Sequence, residues 1–415
     1  MRVLIVAVGS RGDVAPCTGL GQALRAAGHT VTVAAYGMFA GLVGQSGLQF
    51  RALPGDPRLL EAAGWDRGST GPLGTVRLLR LTAAHMRELN AGMLGLAREG
   101  TDVLMFQGIG AIGGYHIGEG LGLPGMGLGL APIYPTSEFP PATVTARSFG
   151  RLGNRAAGKI LVLAGSPILA GPVKELRAEL GLPRLRTYQA IFGQQDAERW
   201  PAFYGFSPAV VPRPADWRAG LEVTGYWWPA CPDGWQPPAE LQDFLSSGAP
   251  PVFVGFGSMT AADADRISDL AQTAARQAGV RLVIQAGQAG LSRRQPDSSS
   301  ILIGDVPHEW LFPKMAAVVH HAGAGTTGAA LRAGVPAVAV PKLGDQPFWA
   351  ARLAALGAGP RPIPFRKLSV TALVGAINEA VTRPSYREQA QALAGRLGRE
   401  DGTAPVVSAV GHLSG

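Results

Sequence analysis

Short unbroken apolar runs alternate with stretches whose apolar positions recur at helical spacing, and the alternation occurs twice along the chain. Val3–Val8 reads as a buried strand, and Gly9-Ser10-Arg11-Gly12-Asp13 as the loop after it. A helix with Pro16 in its first turn should reach about Ala27, where Gly28 stops it. Val31–Ala34 is the next strand, and Asp102–Phe106 repeats the pattern before a Gly-rich turn and a helical stretch over Tyr115–Leu121. From about Ser207 to Pro238 the texture changes: prolines crowd around Trp217, Trp227, Trp228 and Trp235, which predicts an interdomain connection. The alternation restarts with strands at Val252–Phe256, Arg281–Gln285, Ile301–Ile303, Ala317–His320 and Ala337–Val340, separated by helices. Such alternation predicts parallel sheets covered on both faces. The expected fold is α/β, with two Rossmann-like doubly wound domains facing across a cleft: residues 1–215, a Pro/Trp-rich linker over 216–240, a second domain over 241–400, and a terminal segment over 401–415.

Composition narrows the function. The 415 residues are 47% hydrophobic and 16% charged, a mixture that buries large cores and excludes disorder as the main state. The net charge of +8 comes without any Lys/Arg block, so nucleic acid is not an expected partner. Arg147, Arg151, Arg155 and Lys159 recur every four residues without an intervening acid. The plain reading is a solvated helix face; the sharper one is a weak peripheral contact with a membrane surface or an anionic acceptor. Cys17 and Cys231 are too few for a disulfide framework or a cysteine-based zinc site, which points to a reducing, cytoplasmic setting. The Val3–Val8 run is too short for a signal-peptide core, and Ile160–Val173 is too short and too punctuated by glycine and proline for a membrane span.

Ligands of such sheets bind at the carboxyl ends of the strands. There, His320-His321-Ala322-Gly323-Ala324-Gly325-Thr326-Thr327-Gly328 follows one strand and opens a helix. Small residues let the backbone approach an anion, free N–H groups at the helix start point at it, and Thr326 and a histidine can add donors. This favours a diphosphate site. The same glycines, Gly323, Gly325 and Gly328, also form a literal GxGxxG, so an NAD-dependent oxidoreductase is a rival reading. Asp345-Gln346, after the strand at Ala337–Val340, suits vicinal hydroxyls, although Asp345 could equally cap the next helix. Asp13 is read either as a helix cap or as a general base. Asp263-Ala264-Asp265 is formally a DxD metal pattern, but it fits better as acids in a first helical turn, so no metal is expected.

Four separated motifs carry a resemblance: Val306-Pro307-His308-Glu309-Trp310-Leu311-Phe312-Pro313, the His320–Thr327 loop, Gly334-Val335-Pro336 and Gly344-Asp345-Gln346-Pro347-Phe348-Trp349. Together they closely resemble the donor signature of family 1 glycosyltransferases. Gly9-Ser10-Arg11-Gly12-Asp13-Val14-Ala15-Pro16 resembles the branch of sterol glucosyltransferases and of glycopeptide- and macrolide-antibiotic glycosyltransferases. The resemblance implies a GT-B fold, a UDP- or TDP-sugar donor in the C-terminal domain, a lipophilic hydroxyl acceptor in the N-terminal one, and a last helix crossing back to the first domain. It implies Asp13 as base in an inverting transfer, with Ser10, Arg11 and Gly12 forming its loop. His321, Gly323, Gly325, Thr326 and Ser258 are implied as diphosphate ligands, Asp345 and Gln346 as sugar ligands, and Val306 and His308 as flanking the base. No cofactor beyond the nucleotide-sugar co-substrate is implied. Ala322 departs from the commoner glycine of this loop, and Ala329 and His308 depart from the plant pattern in the nucleoside region. An inactive protein that only binds sugar nucleotides is the remaining rival.

Overall fold

A computed structural model describes residues 1–55, 71–229, 231–232, 234–257, 263–287, 290–292 and 298–413. In the first half the elements run β1 (Arg2–Ala7), α1 (Arg11–Ala26), β2 (Thr30–Tyr36), α2 (Ala40–Gln45), β3 (Gln49–Leu53), α3 (Gly71–Arg98), β4 (Val103–Gln107), α4 (Gly110–Leu121), β5 (Gly125–Gly129), α5 (Gly150–Glu179), α6 (Ala190–Ala197), β6 (Ala202–Tyr204) and β7 (Leu221–Val223). The second half holds α7 (Ala239–Ser246), β8 (Val252–Gly255), α8 (Ala264–Ala278), β9 (Leu282–Gln285), β10 (Ser300–Ile303), α9 (His308–Leu311), β11 (Ala317–His320), α10 (Ala324–Arg332), β12 (Ala337–Ala339), α11 (Gln346–Ala355), α12 (Val370–Thr382), α13 (Pro384–Leu397) and α14 (Ala404–Gly411).

The strands form two sheets, ordered β3-β2-β1-β4-β5-β6-β7 and β10-β9-β8-β11-β12. Every pairing in both is parallel. Buried residues such as Ile5, Val33, Leu104 and Phe106 fill the first core, and Val252, Val254, Val319 and Val338 the second, as expected where helices cover both sheet faces. No single helix among the described residues is long and apolar enough to cross a membrane; α5 is long but bends by 64° between Ser166 and Ile168, beside Pro167.

Two expectations change. The first sheet runs past residue 215, because β7 lies inside the stretch expected to be linker and pairs with β6 through Leu221, Glu222 and Val223. The helix expected from Pro16 begins at Arg11, since Ser10 and Asp13 form a reciprocal cap that hydrophobic spacing does not register.

The chain crosses between the halves at Tyr226-Trp227, whose side chains enter different cores: Trp227 the first, and Tyr226 a third cluster that joins Phe206 of the first half to Phe253 and Trp349 of the second. The Trp227 indole donates to the Gly402 carbonyl at 2.9 Å, and Val406 and Val410 of α14 are buried in the first core. Arg352 of α11 donates to the Val210 carbonyl, and Ser207 donates to Glu400 at 2.7 Å. At Gly19 of α1, a Cβ would lie 1.8 Å from the Trp228 carbonyl oxygen. Only a residue without a side chain lets the helix seat there. Gly19→Ala should therefore cost about 1–3 kcal/mol through overpacking. Gly95→Ala, where a Cβ meets open space on α3, should gain about 0.5–1 kcal/mol from reduced backbone freedom. Denaturant midpoints of the two variants, moving in opposite directions, check this.

Candidate active site

Asp13 stands on the first turn of α1, at the carboxyl edge of the first sheet. Gly9 has φ +143°, and a Cβ there would lie 2.3 Å from Asp13 Oδ2, so glycine lets the carboxylate fold back against the chain. Oδ2 accepts from the Ser10 N–H at 2.7 Å and the Ser10 hydroxyl at 3.0 Å, while Ser10 Oγ accepts from the Gly12 N–H at 3.2 Å. Oδ1 accepts from Gln107 Nε2 at 2.9 Å. Gln107 ends β4 and pairs in register with Ala7 of β1; its side chain is buried, and its Oε1 has no partner among the described residues. Burial pushes the Asp13 carboxyl above the ordinary range, and the donors from Ser10 and Gln107 oppose that shift. The carboxylate is thus more basic than a free one and held in one orientation. Gln107 was not singled out from the sequence, because a glutamine at a strand end carries no pattern.

On the second sheet, β11 ends at His320, whose Nδ1 accepts from the Ala322 N–H at 3.0 Å. Ala322 takes φ +64°, the left-handed region, which costs about 1–2 kcal/mol for a non-glycine residue and accounts for glycine suiting this position. Its buried methyl returns part of that, roughly 0.8 kcal/mol, so the loop holds with alanine. The His321 ring lies between Gly257, φ +57°, and Gly323; Cβ atoms there would approach it to 2.9 and 2.6 Å. Its Nδ1 is buried and has no hydrogen-bond partner among the described residues. Burial lowers His321 to about 4, His308 to about 4 and His320 to about 3. At neutral pH these rings are therefore uncharged, so what His321 can offer is a neutral imidazole N–H rather than a cation.

Gly323 caps α10 with extended backbone, and the helix's first N–H groups, at Ala324 to Thr326, have no intrahelical acceptor. Gly325 is exposed with open space where a Cβ would go. Gly328 has a different reason: a Cβ would strike the Tyr226 ring at 2.6 Å, so the third glycine of the literal GxGxxG serves interdomain packing.

Asp345 precedes α11 and accepts from the Trp349 indole at 2.7 Å. Burial raises its pKa, the Trp349 donor opposes that shift, and the Asp13 charge is close enough to raise it further. Gln346 Oε1 accepts from the Lys342 and Leu343 N–H groups at 2.8 and 3.2 Å, which fixes the turn and leaves Nε2 to donate outward. His308 stacks on Phe312 at 4.2 Å, with the Arg11 charge close enough to lower its pKa. Arg11 also pairs with Asp305 at 3.2 Å, joining the two carboxyl edges. The Val306 side chain is buried in the cluster that also holds Tyr226, so only its backbone can flank a ligand. Ser258 lies outside the described residues. Asp263 of the DxD pattern precedes α8 and pairs with Lys342 at 3.1 Å.

Residues 3–140 match the Glycosyltransferase family 28 N-terminal domain, and residues 261–410 the C-terminal domain of erythromycin biosynthesis protein CIII-like proteins. The chain is 34% identical to O-mycaminosyltylonolide 6-deoxyallosyltransferase of Streptomyces fradiae, covering 97% of this chain and 95% of that one. It is 33% identical to a sterol 3-beta-glucosyltransferase of Arabidopsis thaliana over 99% of its own length, and spans 65% of the plant protein. Among solved structures, the glycotransferase of kitacinnamycin superposes with TM-score 0.73 at 19% identity, covering 99% of this chain and 98% of that one. A Streptomyces sp. SF2575 glycosyltransferase complexed with thymidine diphosphate superposes with TM-score 0.65 at 24% identity, covering 99% of both. The dinucleotide reading therefore falls. With both halves matched, and with a relative 34% identical across 95% of its length, the chain belongs to the GT-B glycosyltransferases, in the branch that holds sterol 3-beta-glucosyltransferases and macrolide glycosyltransferases.

Proposed function

We propose that the protein transfers a sugar from a UDP- or TDP-sugar to a hydroxyl of an apolar natural product, with inversion at the anomeric carbon and Asp13 as general base. The observation that carries this reading is the placement of Asp13. Its carboxyl is desolvated, held by Ser10 and Gln107, and near enough to Asp345 for the two charges to interact. The acceptor oxygen attacks the anomeric carbon while its proton passes to Asp13, and the bond to the diphosphate oxygen breaks on the opposite face. One displacement turns an α-linked donor into a β-glycoside. The departing diphosphate takes hydrogen bonds from the free N–H groups at the start of α10, from Thr326 and from His321. Ser258 stays assigned to the same diphosphate on its motif alone. Asp345 and Gln346 Nε2 hold sugar hydroxyls, and the nucleoside lies beside His308 and the Val306 backbone. Acceptors are apolar on the strength of the relatives, which are named for a sterol and for O-mycaminosyltylonolide, and the thymidine diphosphate of a solved neighbour supports the donor class.

Asp13→Asn should keep the fold, because the amide can still accept from Ser10 and Gln107 can turn its own amide to match. Transfer should fall by about 10²–10⁴-fold, the range for losing a general base, while donor affinity stays near the parent's. Initial rates under saturating donor, with folding followed by circular dichroism, decide this, and near-parental rates would remove Asp13 as base. His321→Ala should weaken nucleoside-diphosphate binding by about ten- to a hundredfold, the worth of a hydrogen bond to a charged group, as read by calorimetry. EDTA should change neither parent nor variant rates.

The pH profile gives a separate check. Transfer requires ionised Asp13, so the rate falls as pH drops through its raised pKa, and the acid limb should lie above the ordinary carboxylate range. Gln107→Leu removes a donor that favours the charged form, so that limb should move to higher pH. A variant that lost rate equally at every pH would show Gln107 to be structural only.

A further inference from the structure

The first half of α5 presents a continuous exposed face. Arg151-Leu152, Arg155-Ala156, Lys159-Ile160 and Leu163-Ala164 are exposed in turn, so a basic line runs beside an apolar one along the helix. Leu152 is 89% exposed, Ile160 63%, Phe149 57% and Leu163 55%. Scattered exposed leucines are ordinary, but three large apolar side chains along one helix, with Phe149 just before its start, form a patch that normally finds a partner. Among the described residues, none of Arg147, Arg151, Arg155 and Lys159 lies within ion-pair distance of a carboxylate. No acid occurs between Glu138 and Lys174. Glu138 accepts from the Ala215 N–H and Asp216 from Thr136 and Ser137, so the acids that line a 650 Å³ cavity with Arg151 are engaged elsewhere.

The opposite face is anchored. Asn154 is buried, accepts from the Phe149 N–H at 2.8 Å and donates to the Ser137 carbonyl at 3.2 Å. Gly158 packs on Pro135, where a Cβ would come within 2.7 Å. Beyond the bend, Val173 and Leu176 belong to the first core. The helix therefore lies on the domain and offers one side outward. We infer that this face is a membrane-surface docking site, whose cations meet anionic lipid headgroups while Phe149, Leu152, Ile160 and Leu163 enter the headgroup–acyl boundary. Charge complementarity chooses the occupant: an unpaired basic line beside an apolar line suits an anionic bilayer better than a second copy of the same basic face, which it would repel.

The position relates the surface to the cleft. The segment between β5 and α5 leaves the carboxyl edge of the first sheet, places Phe139 5.4 Å from Phe348 beside Gln346, and then turns into α5. Docking would hold the acceptor side of the cleft at the lipid surface, where lipophilic hydroxyl compounds concentrate. This last step rests on the proposed function; the binding itself does not.

The test is flotation of the full chain with vesicles of phosphatidylcholine, with and without phosphatidylglycerol. The parent should bind the anionic vesicles, lose binding as salt rises, and bind phosphatidylcholine alone weakly. Arg155→Gln with Lys159→Gln should weaken binding by about fivefold for each cation removed. Leu152→Ser with Ile160→Ser should reduce it by at least tenfold. Both pairs should retain the parent melting temperature and the parent rate toward an acceptor freely dissolved in buffer. Failure of the parent to float with anionic vesicles, or equal binding by the variants, would overturn the docking site. Sedimentation showing a dimer that Leu152→Ser dissociates would overturn it too, assigning the face to a second copy. Vesicle binding without any sugar transfer would uphold the surface and count against the proposed function alone.

Discussion

The distance between the carboxyl edges of the two sheets governs everything at this site, and the crossover between the halves sets that distance. Trp227 is buried in the first core and donates to the Gly402 carbonyl, while the adjacent Tyr226 packs against Gly328 at the foot of α10. The helix that carries Asp13 is seated against the same crossover through Gly19, and the helix that carries the phosphate loop is seated through Gly328. Two glycines thus register two helices on one aromatic segment. The return of α14 onto the first core, with Val406 and Val410 buried, locks the segment from its far side. Buried aromatics of this size contribute several kcal/mol each, far more than the single exposed Arg11–Asp305 ion pair that spans the cleft mouth. The rigid junction therefore lies behind the site, and the weak contact lies at its opening.

Burial leaves the two edges with little net charge. On the first edge the Asp13 carboxyl is less willing to ionise than a free one; on the second the Asp345 carboxyl is likewise raised, and His308, His320 and His321 are neutral. Among the described residues, an anion entering here would meet backbone N–H groups of a helix start and a neutral imidazole, with the Arg11 guanidinium near His308. Preorganised dipoles in a partly dry site need no reorganisation as charge develops on a leaving group. The lone Lys342 near the turn is paired with Asp263 and does not change this picture.

The Gly-rich turn was legible as a strand-to-helix loop, and the structure puts His321, Gly323, Gly325 and Thr326 at one helix start. The linker was misplaced because β7 is three residues long and set among prolines, too short to show an alternation. β5 was hidden for a different reason. Its sequence Gly-Met-Gly-Leu-Gly looks like a turn, yet a Cβ at Gly127 would come within 2.8 Å of Trp200, and one at Gly129 within 2.5 Å of Tyr204. Large aromatics on later elements occupy the space that side chains of the strand would fill. Glycine there is a packing requirement imposed from more than 70 residues away, and local propensity cannot express it. Gln107 escaped for the same kind of reason, since its meaning comes only from the register that sets it beside Ala7.

Asp13 shows why structural and chemical readings of one residue need not compete. A capping carboxylate must be ionised, fixed in orientation and placed where backbone donors hold it, and a general base needs the first two of these. What distinguishes them is desolvation. An ordinary surface cap is wet and its pKa is depressed by the N–H groups it serves; here burial outweighs those donors and the shift goes the other way. That reversal comes from burial against the first sheet and from the Gly9 turn that folds the carboxylate inward, against the opposing Ser10 and Gln107 donors. The capping box makes Asp13 stable where it stands, and the sheet around it makes the same carboxylate basic.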